Sequence, residues 1–268
     1  MSNLSYMQKA TDRGLLQIHV TTERGFFPIK DASIRLSYTG NPTEIIEELS
    51  TDISGQTAAV ELPAPPLEYS MEPSEFQPYS EYTIQVNASG YRPINISGIS
   101  VLPDKTSIQN VRMETATVEN PLERNIVITA NTLYGNFPPK IPEDEIKPMT
   151  ESGEIVLSRV VIPEYVIVHD GPPSDSSAND YYVRYRDYIK NVASSEIYAT
   201  WPDAALRANI LAIMSFTLNR VYTEWYRNKG YDFTITSSTA FDHKFVYGRN
   251  IFSNISNLSL IHISEPTR

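Results

Sequence analysis

Apolar and polar residues alternate in short runs through the first third of the chain. Leu16, Ile18 and Val20 alternate with Gln17 and His19. Ala32, Ile34, Leu36 and Tyr38 alternate with Ser33, Arg35 and Ser37, and Tyr82, Ile84, Val86 and Ala88 repeat the pattern. A period of two marks strands that bury one face. Turn-forming residues separate the runs: Gly25, Gly40-Asn41-Pro42, Ser54-Gly55, Pro63 to Pro66 and Gly90. Strands at this spacing predict an all-β sandwich over residues 13–116.

The pattern then breaks. Residues 117–160 carry Pro121, Pro138, Pro139, Pro142 and Pro148 and the acidic cluster Glu143-Asp144-Glu145. Prolines at that density predict extended chain. Asn125–Thr129 and Glu154–Val161 are the two candidate strands within it. The segment reads as a connector that docks partly on a neighbour, with a propeptide opened by an activating protease as the alternative.

Beyond the connector the period changes again. Glu164–His169 is apolar and β-branched, and Asp170-Gly171-Pro172-Pro173 stops it, which predicts a strand and a turn. Tyr185, Ile189 and Val192 then recur at helical spacing, and the next position on that stripe is Glu196. Thr200-Trp201-Pro202-Asp203 opens a second helix. Its predicted buried stripe is Leu206, Ile210, Ile213, Thr217, Val221 and Trp225, with Gly230 as the stop. The expected architecture is therefore multidomain, a sandwich followed by an α+β unit over residues 161–257.

Glu196 is the residue in this pattern with candidate chemistry. A carboxylate on an apolar stripe is partly buried, and one in the last turn of a helix faces the negative end of the dipole. Both effects disfavour the charged form and raise the pKa. A carboxyl still protonated near neutral pH suits a glycosidic general acid. Periodicity alone favours a solvated surface glutamate.

Composition narrows the classes. The 268 residues suffice for two ordinary domains. The formal net charge of −10 argues against a nucleic-acid partner, which needs a basic stripe. Cysteine is absent, which removes disulfides, thiol catalysis and cysteine-ligated metal. No apolar run approaches the roughly 18 residues of a membrane span. Met1–Asp12 is polar and lacks the apolar core of an export signal.

Three resemblances add to this. Pro28-Ile29, Ala32-Ser33-Ile34, Thr51-Asp52 with Gly55, Tyr82-Thr83-Ile84 and Ala88-Ser89-Gly90-Tyr91 resemble the carboxypeptidase regulatory-like (transthyretin-like) sandwich. That implies an accessory module without chemistry of its own. In it His19 is expected at the surface. Tyr69, Phe76, Tyr79 and Tyr82 are expected to pack rather than to form a sugar platform.

The string Tyr188-Ile189, Val192-Ala193-Ser194-Ser195-Glu196, Trp201-Pro202, Ala205-Leu206-Arg207-Ala208-Asn209 and Ala212 resembles the stage II sporulation protein D family, above all its spore cortex-lytic branch. The resemblance implies a lytic transglycosylase acting on peptidoglycan glycan strands in the spore cortex or cell envelope, without a cofactor. Glu196 falls on the catalytic glutamate. Ser195, Arg207 and Asn209 fall at substrate-binding positions, and His243 is a candidate substrate contact or supporting residue, with an ordinary loop histidine as the equal alternative. Arg207 and Asn209 replace the family's lysine and glutamine, and Met214 stands near the position where some members carry an arginine. Some members bind zinc downstream. Here Thr236–Tyr247 keeps only His243, so no metal is expected, and Asp242 reads as a surface acid.

Leu258–Arg268 resembles the translation of a sequencing-library adapter. On that reading the lytic domain is truncated near Asn257, Tyr231–Ile235 lacks sheet partners, and neither His262 nor Glu265 has a function. Two rivals to the enzyme remain: a non-catalytic envelope-binding protein and an inactive precursor.

Overall fold

The computed structural model describes residues 12–117, 122–131, 133, 139–140 and 161–264. Apart from Val161, the candidate strand at Glu154–Val161 lies outside them. Two sheets face each other in the N-terminal half. The first contains β1 (Asp12–Thr22), β4 (Val60–Ala64) and β7 (Thr106–Met113). The second contains β2 (Ser33–Tyr38), β3 (Asn41–Ser50), β5 (Ser80–Asn87) and β6 (Ile94–Val101). The alternating residues do what their period predicts. Leu16, Ile18 and Val20 of β1 and Ile34, Leu36, Ile84 and Val86 of β2 and β5 are fully buried in one shared core. Each such side chain contributes about 1.5–3 kcal/mol relative to exposure. Tyr82 is also buried, its hydroxyl donating to the Pro63 carbonyl at 2.7 Å. Tyr69 stacks on Phe76, ring centroids 4.9 Å apart. His19 is half-buried rather than at the surface, and burial pulls its imidazole down.

The sandwich does not close within residues 13–116. Strand β8 (Arg124–Val127) of the connector pairs in parallel with β6, and β12 (Ile251–Phe252) pairs antiparallel with β7. The resulting orders are β12-β7-β1-β4 and β3-β2-β5-β6-β8. Both additions cover a strand edge whose backbone groups would otherwise lack partners. The fit is close. Gly98 has φ +83°, and a Cβ there would lie 2.4 Å from the Ile128 carbonyl oxygen, so a side chain would displace the connector. On the other edge Asn250 is fully buried. Its Oδ1 accepts from the Ser100 N–H at 3.1 Å, and its Nδ2 donates to the Ser100 carbonyl at 2.9 Å.

The C-terminal unit has a small sheet, β10 (Asp180–Arg184), β9 (Tyr165–His169) and β11 (Ile235–Thr236), in that order. Helices α2 (Tyr185–Glu196), α3 (Asp203–Tyr222) and α4 (Ser253–Ser264) follow; α1 is the single turn Glu68–Met71. Tyr185, Tyr188, Ile189 and Val192 of α2 meet Leu206, Ile210 and Ile213 of α3 in a second core. Pro202 sits at the N-cap of α3, where its missing N–H costs nothing.

Three expectations are corrected here. Helix α3 ends at Tyr222, well before Gly230, because Glu224 turns left-handed at φ 47°. That turn moves Trp225 off the helical stripe and into a separate cluster with Tyr226 and Phe233. Gly230 instead closes a 3-10 turn at Arg227–Lys229. The segment Tyr231–Ile235 does find a partner, since Ile235 and Thr236 pair in parallel with Val168 and His169. The chain from Leu258 to Ser264, set apart in the sequence, continues α4, and Leu258 is buried in the second core because it falls one turn after buried Ile255.

Replacing Asn250 by Ala should destabilise the protein by about 1–3 kcal/mol, because it strands the buried backbone N–H of Ser100, whose carbonyl keeps only the Ser107 hydroxyl. Chemical denaturation should show this loss with a single transition. Two resolved transitions in the wild type would mean that the halves unfold independently.

Candidate active site

Glu196 is the last residue of α2, and the stripe of Tyr185, Ile189 and Val192 carries it to the edge of the second core. Its carboxyl is partly buried. Oε1 accepts the backbone N–H of Lys244 at 2.8 Å. Burial pushes the carboxyl up from its ordinary value of 4.5; the Lys244 N–H and the charges of Lys140 and Lys244 oppose that without cancelling it. The protonated form therefore persists to higher pH than in a solvated glutamate.

The loop from Asp242 to Val246 supplies the surroundings. His243 Nδ1 lies 3.2 Å from the Tyr188 hydroxyl, and its ring sits 4.7 Å from that of Phe216. Burial pulls the imidazole down to about 4, so it is neutral at physiological pH. Tyr188 is fully buried on α2, about two turns before Glu196, and burial pushes its phenol well up, with Asp242 and Glu196 adding to the shift. Burial pulls the Lys244 ammonium down to about 8, and it donates to the Ala130 carbonyl at 2.9 Å. Lys140 of the connector donates to the Asp242 carbonyl at 2.6 Å and lies 5.9 Å over Phe216. Asn191 fixes the far end of the loop in both directions: Nδ2 donates to the Val246 carbonyl at 2.8 Å, and Oδ1 accepts the Val246 N–H at 3.0 Å.

Asp242 is not a surface acid. It is 2 % exposed and ion-paired to Arg220, also 2 % exposed, through Nε at 2.8 Å. Its other oxygen accepts from the Tyr226 hydroxyl at 2.6 Å and from the N–H and hydroxyl of Thr236 at 2.9 and 2.7 Å. The guanidinium of Arg220 lies 4.5 Å from the Phe216 ring and 4.7 Å from that of Trp225. The sequence placed an apolar stripe along this face of α3 and gave no reason to expect an arginine turned inward. An acid on a loop and a cation on a helix reveal their pairing only in three dimensions.

The other predicted residues scatter. Ser195 is fully buried, and among the described residues its hydroxyl has no hydrogen-bond partner, so it faces protein rather than solvent. Arg207 is exposed and Asn209 half-buried on α3, and among the described residues no hydrogen bond or ion pair joins either to Glu196. Met214 is buried. Glu196 and His243 are brought together through the Asp242–Val246 loop. Among the described residues no group of three or more His, Cys, Asp or Glu is placed to hold a metal. A cavity of about 170 Å³ opens onto Arg220, Tyr226 and Phe233 and includes none of the predicted site residues.

Residues 178–254 match the model of the Stage II sporulation protein family, SpoIID. The chain thus carries a SpoIID-like domain that spans α2, α3 and the Asp242 loop. None of the curated proteins matches. Among solved structures the chain is similar to the Bacillus anthracis TIE protein, at 17% identity and TM-score 0.27 over 39% of this chain and 17% of that one. It is also similar to GBS52, the minor pilin of Streptococcus agalactiae, at 13% and 0.28 over 40% and 46% of the two chains. A third is the Klebsiella pneumoniae 5-hydroxyisourate hydrolase, at 15% and 0.24 over 38% and 92%. The chain spans well under half of the first of these proteins and just under half of the second. At these values no activity is transferred.

Replacing Asp242 by Asn should destabilise the protein by about 3–5 kcal/mol, because it strands the buried Arg220 charge, and thermal denaturation will read the loss. Glu196→Gln should behave in the opposite way. A carboxyl whose folded pKa is raised stabilises the fold fully only below its unfolded value and loses that contribution as pH rises through the folded one. The glutamine variant should therefore gain thermal stability over wild type between about pH 4 and neutrality. A pH-independent difference between the two melting curves would contradict the burial of Glu196.

Proposed function

We propose that this protein is a lytic transglycosylase that cleaves the glycan strands of peptidoglycan, in the spore cortex or the cell envelope, with Glu196 as its acid and base. The observation that carries this reading is a carboxyl raised by burial, fixed by one backbone N–H, at the end of the helix that the SpoIID-like match covers. Protonated Glu196 donates its proton to the glycosidic oxygen as the bond to the muramyl C1 breaks. The carboxylate then removes the proton from the muramyl 6-hydroxyl as that oxygen attacks C1 and closes an anhydro ring. One carboxyl serves both steps, unlike the pair most glycosidases need. The neighbouring acid supports this economy, since both Asp242 oxygens are occupied by Arg220, Tyr226 and Thr236. His243, neutral and next to the site, has a ring nitrogen suited to hydrogen bonding with sugar hydroxyl or acetamido groups. Arg207 and Asn209 are donors for sites further along the strand.

A second reading is a precursor whose connector restrains the site until a protease cuts it. One contact favours it: Lys140 reaches the Asp242 carbonyl beside His243.

Incubation with purified glycan strands and mass spectrometry of the products tests both. Wild type should release anhydro-muramyl ends, and Glu196→Gln should lower the yield at least about a thousandfold, as expected for loss of the group that drives both proton transfers. Activity that appears only after cleavage C-terminal to Lys140 selects the precursor. No product before or after such cleavage overturns the enzymatic reading.

A further inference from the structure

The C-terminal end of α2 is held from outside its own unit. A helix leaves its last carbonyls without intrahelical partners, and something else must take them. The Ala193 carbonyl is taken by the N–H of Ile197 at 3.3 Å. The Ser194 carbonyl accepts from Nδ2 of Asn131, a connector residue, at 3.3 Å. Asn131 is itself 4 % exposed and reaches in two further directions. Its backbone N–H donates to the Tyr79 hydroxyl of the sandwich at 2.8 Å, and its carbonyl accepts from the Tyr198 hydroxyl, just past α2, at 3.2 Å. The neighbouring Ala130 carbonyl takes the Lys244 ammonium at 2.9 Å, while the main-chain N–H of the same lysine holds Glu196. Before that, the Thr129 carbonyl accepts from Arg249 at 2.7 Å.

We propose that Asn131 and the Ala130 carbonyl are positioning elements for the proposed acid, fixing the end of α2 and the Lys244 loop relative to each other and anchoring both to the sandwich. This rests on Glu196 being the catalytic carboxyl. On this view the sandwich is not an accessory appended to a self-sufficient lytic domain. It supplies Tyr79 as the fixed point for a connector that passes between helix and loop. Neither Asn131 nor Tyr79 touches the carboxyl, so each acts through Ser194 or through Lys244. The separation of Glu196 from its N–H donor depends on two elements distant in sequence, and the connector is bonded to both, in addition to the direct bridge from Asn191 to Val246. A displacement of about 1 Å at such a group is enough to cost a large part of a catalytic rate.

The test uses two variants that leave the net charge unchanged. Asn131→Leu keeps the branched shape and the number of heavy atoms, at a somewhat larger volume, and removes the donor to Ser194. Tyr79→Phe removes only the hydroxyl that accepts the Asn131 N–H. The charged and titratable groups around Glu196 are Lys244 and Lys140, with Tyr188 on its own helix and Asp242 and His243 on the loop. Neither substitution alters any of them. The Glu196 side-chain carboxyl carbon is followed by NMR in ¹³C-labelled protein and assigned by its absence in Glu196→Gln.

A loosened Lys244 N–H no longer pulls the carboxyl down, so Asn131→Leu should move the Glu196 midpoint upward by about half a pH unit or more, and Tyr79→Phe should move it the same way by less. On glycan strands Asn131→Leu should lower kcat about ten- to a hundredfold with KM within about twofold. Folded variants that keep both the wild-type midpoint and the wild-type kcat overturn the positioning role. If wild type yields no product, the transglycosylase reading falls and the titration alone decides whether the connector positions Glu196. Should Asn131→Leu fail to fold, Tyr79→Phe carries the same decision.

Discussion

Asp242 and Arg220 form the interaction on which the rest of the candidate site depends. Two opposite charges sit almost wholly out of water, and every oxygen of the carboxylate has a partner. Burying an ion pair carries a desolvation penalty that is offset only by such complete satisfaction. The pair joins four elements: the end of α3 through Arg220, the turn after it through Tyr226, β11 through Thr236 and the loop that continues to Lys244. That loop has little regular structure of its own. Its course past α2 is set at one end by Asp242 and at the other by Val246 on Asn191. The N–H that holds Glu196 lies between these two anchors.

Much of the fold was legible in the sequence because periodicity reports burial. Alternation located β1, β2 and β5, and the helical stripe ended α2 at Glu196, where the structure also ends it. The prediction failed where the deciding contact joined distant parts of the chain. Nothing in Asn125–Val127 says that it will extend the sheet beside β6, and nothing in Ile251-Phe252 says that it will border β7. The stripe of α3 continued on paper to Trp225, yet the chain turns at Glu224 and packs Trp225 and Tyr226 around Arg220. Asp242, next to a histidine in a polar loop, had the local pattern of an exposed acid.

The site was legible in the same uneven way. Glu196 stood out because it interrupts an apolar stripe. Lys244 did not, because its role belongs to its backbone N–H, which carries no side-chain signal. Ser195 was singled out by its place beside Glu196. On a helix adjacent residues point about a hundred degrees apart, and the serine turns into the protein while the glutamate reaches its edge.

The late arrival of β12 has a consequence for biogenesis. During synthesis from the N-terminus, the strands β1 to β7 emerge first and can form both faces of the sandwich. The outer edge of β7 then stays uncovered until residues 251–252 have left the ribosome, after some 140 further residues have been made. Through that interval the nascent chain presents an unpaired strand, the feature through which β proteins most readily associate with one another. The contact of Ile251 and Phe252 with Ile108 and Ser107 thus comes late, and until it forms this part of the sandwich is prone to mispairing.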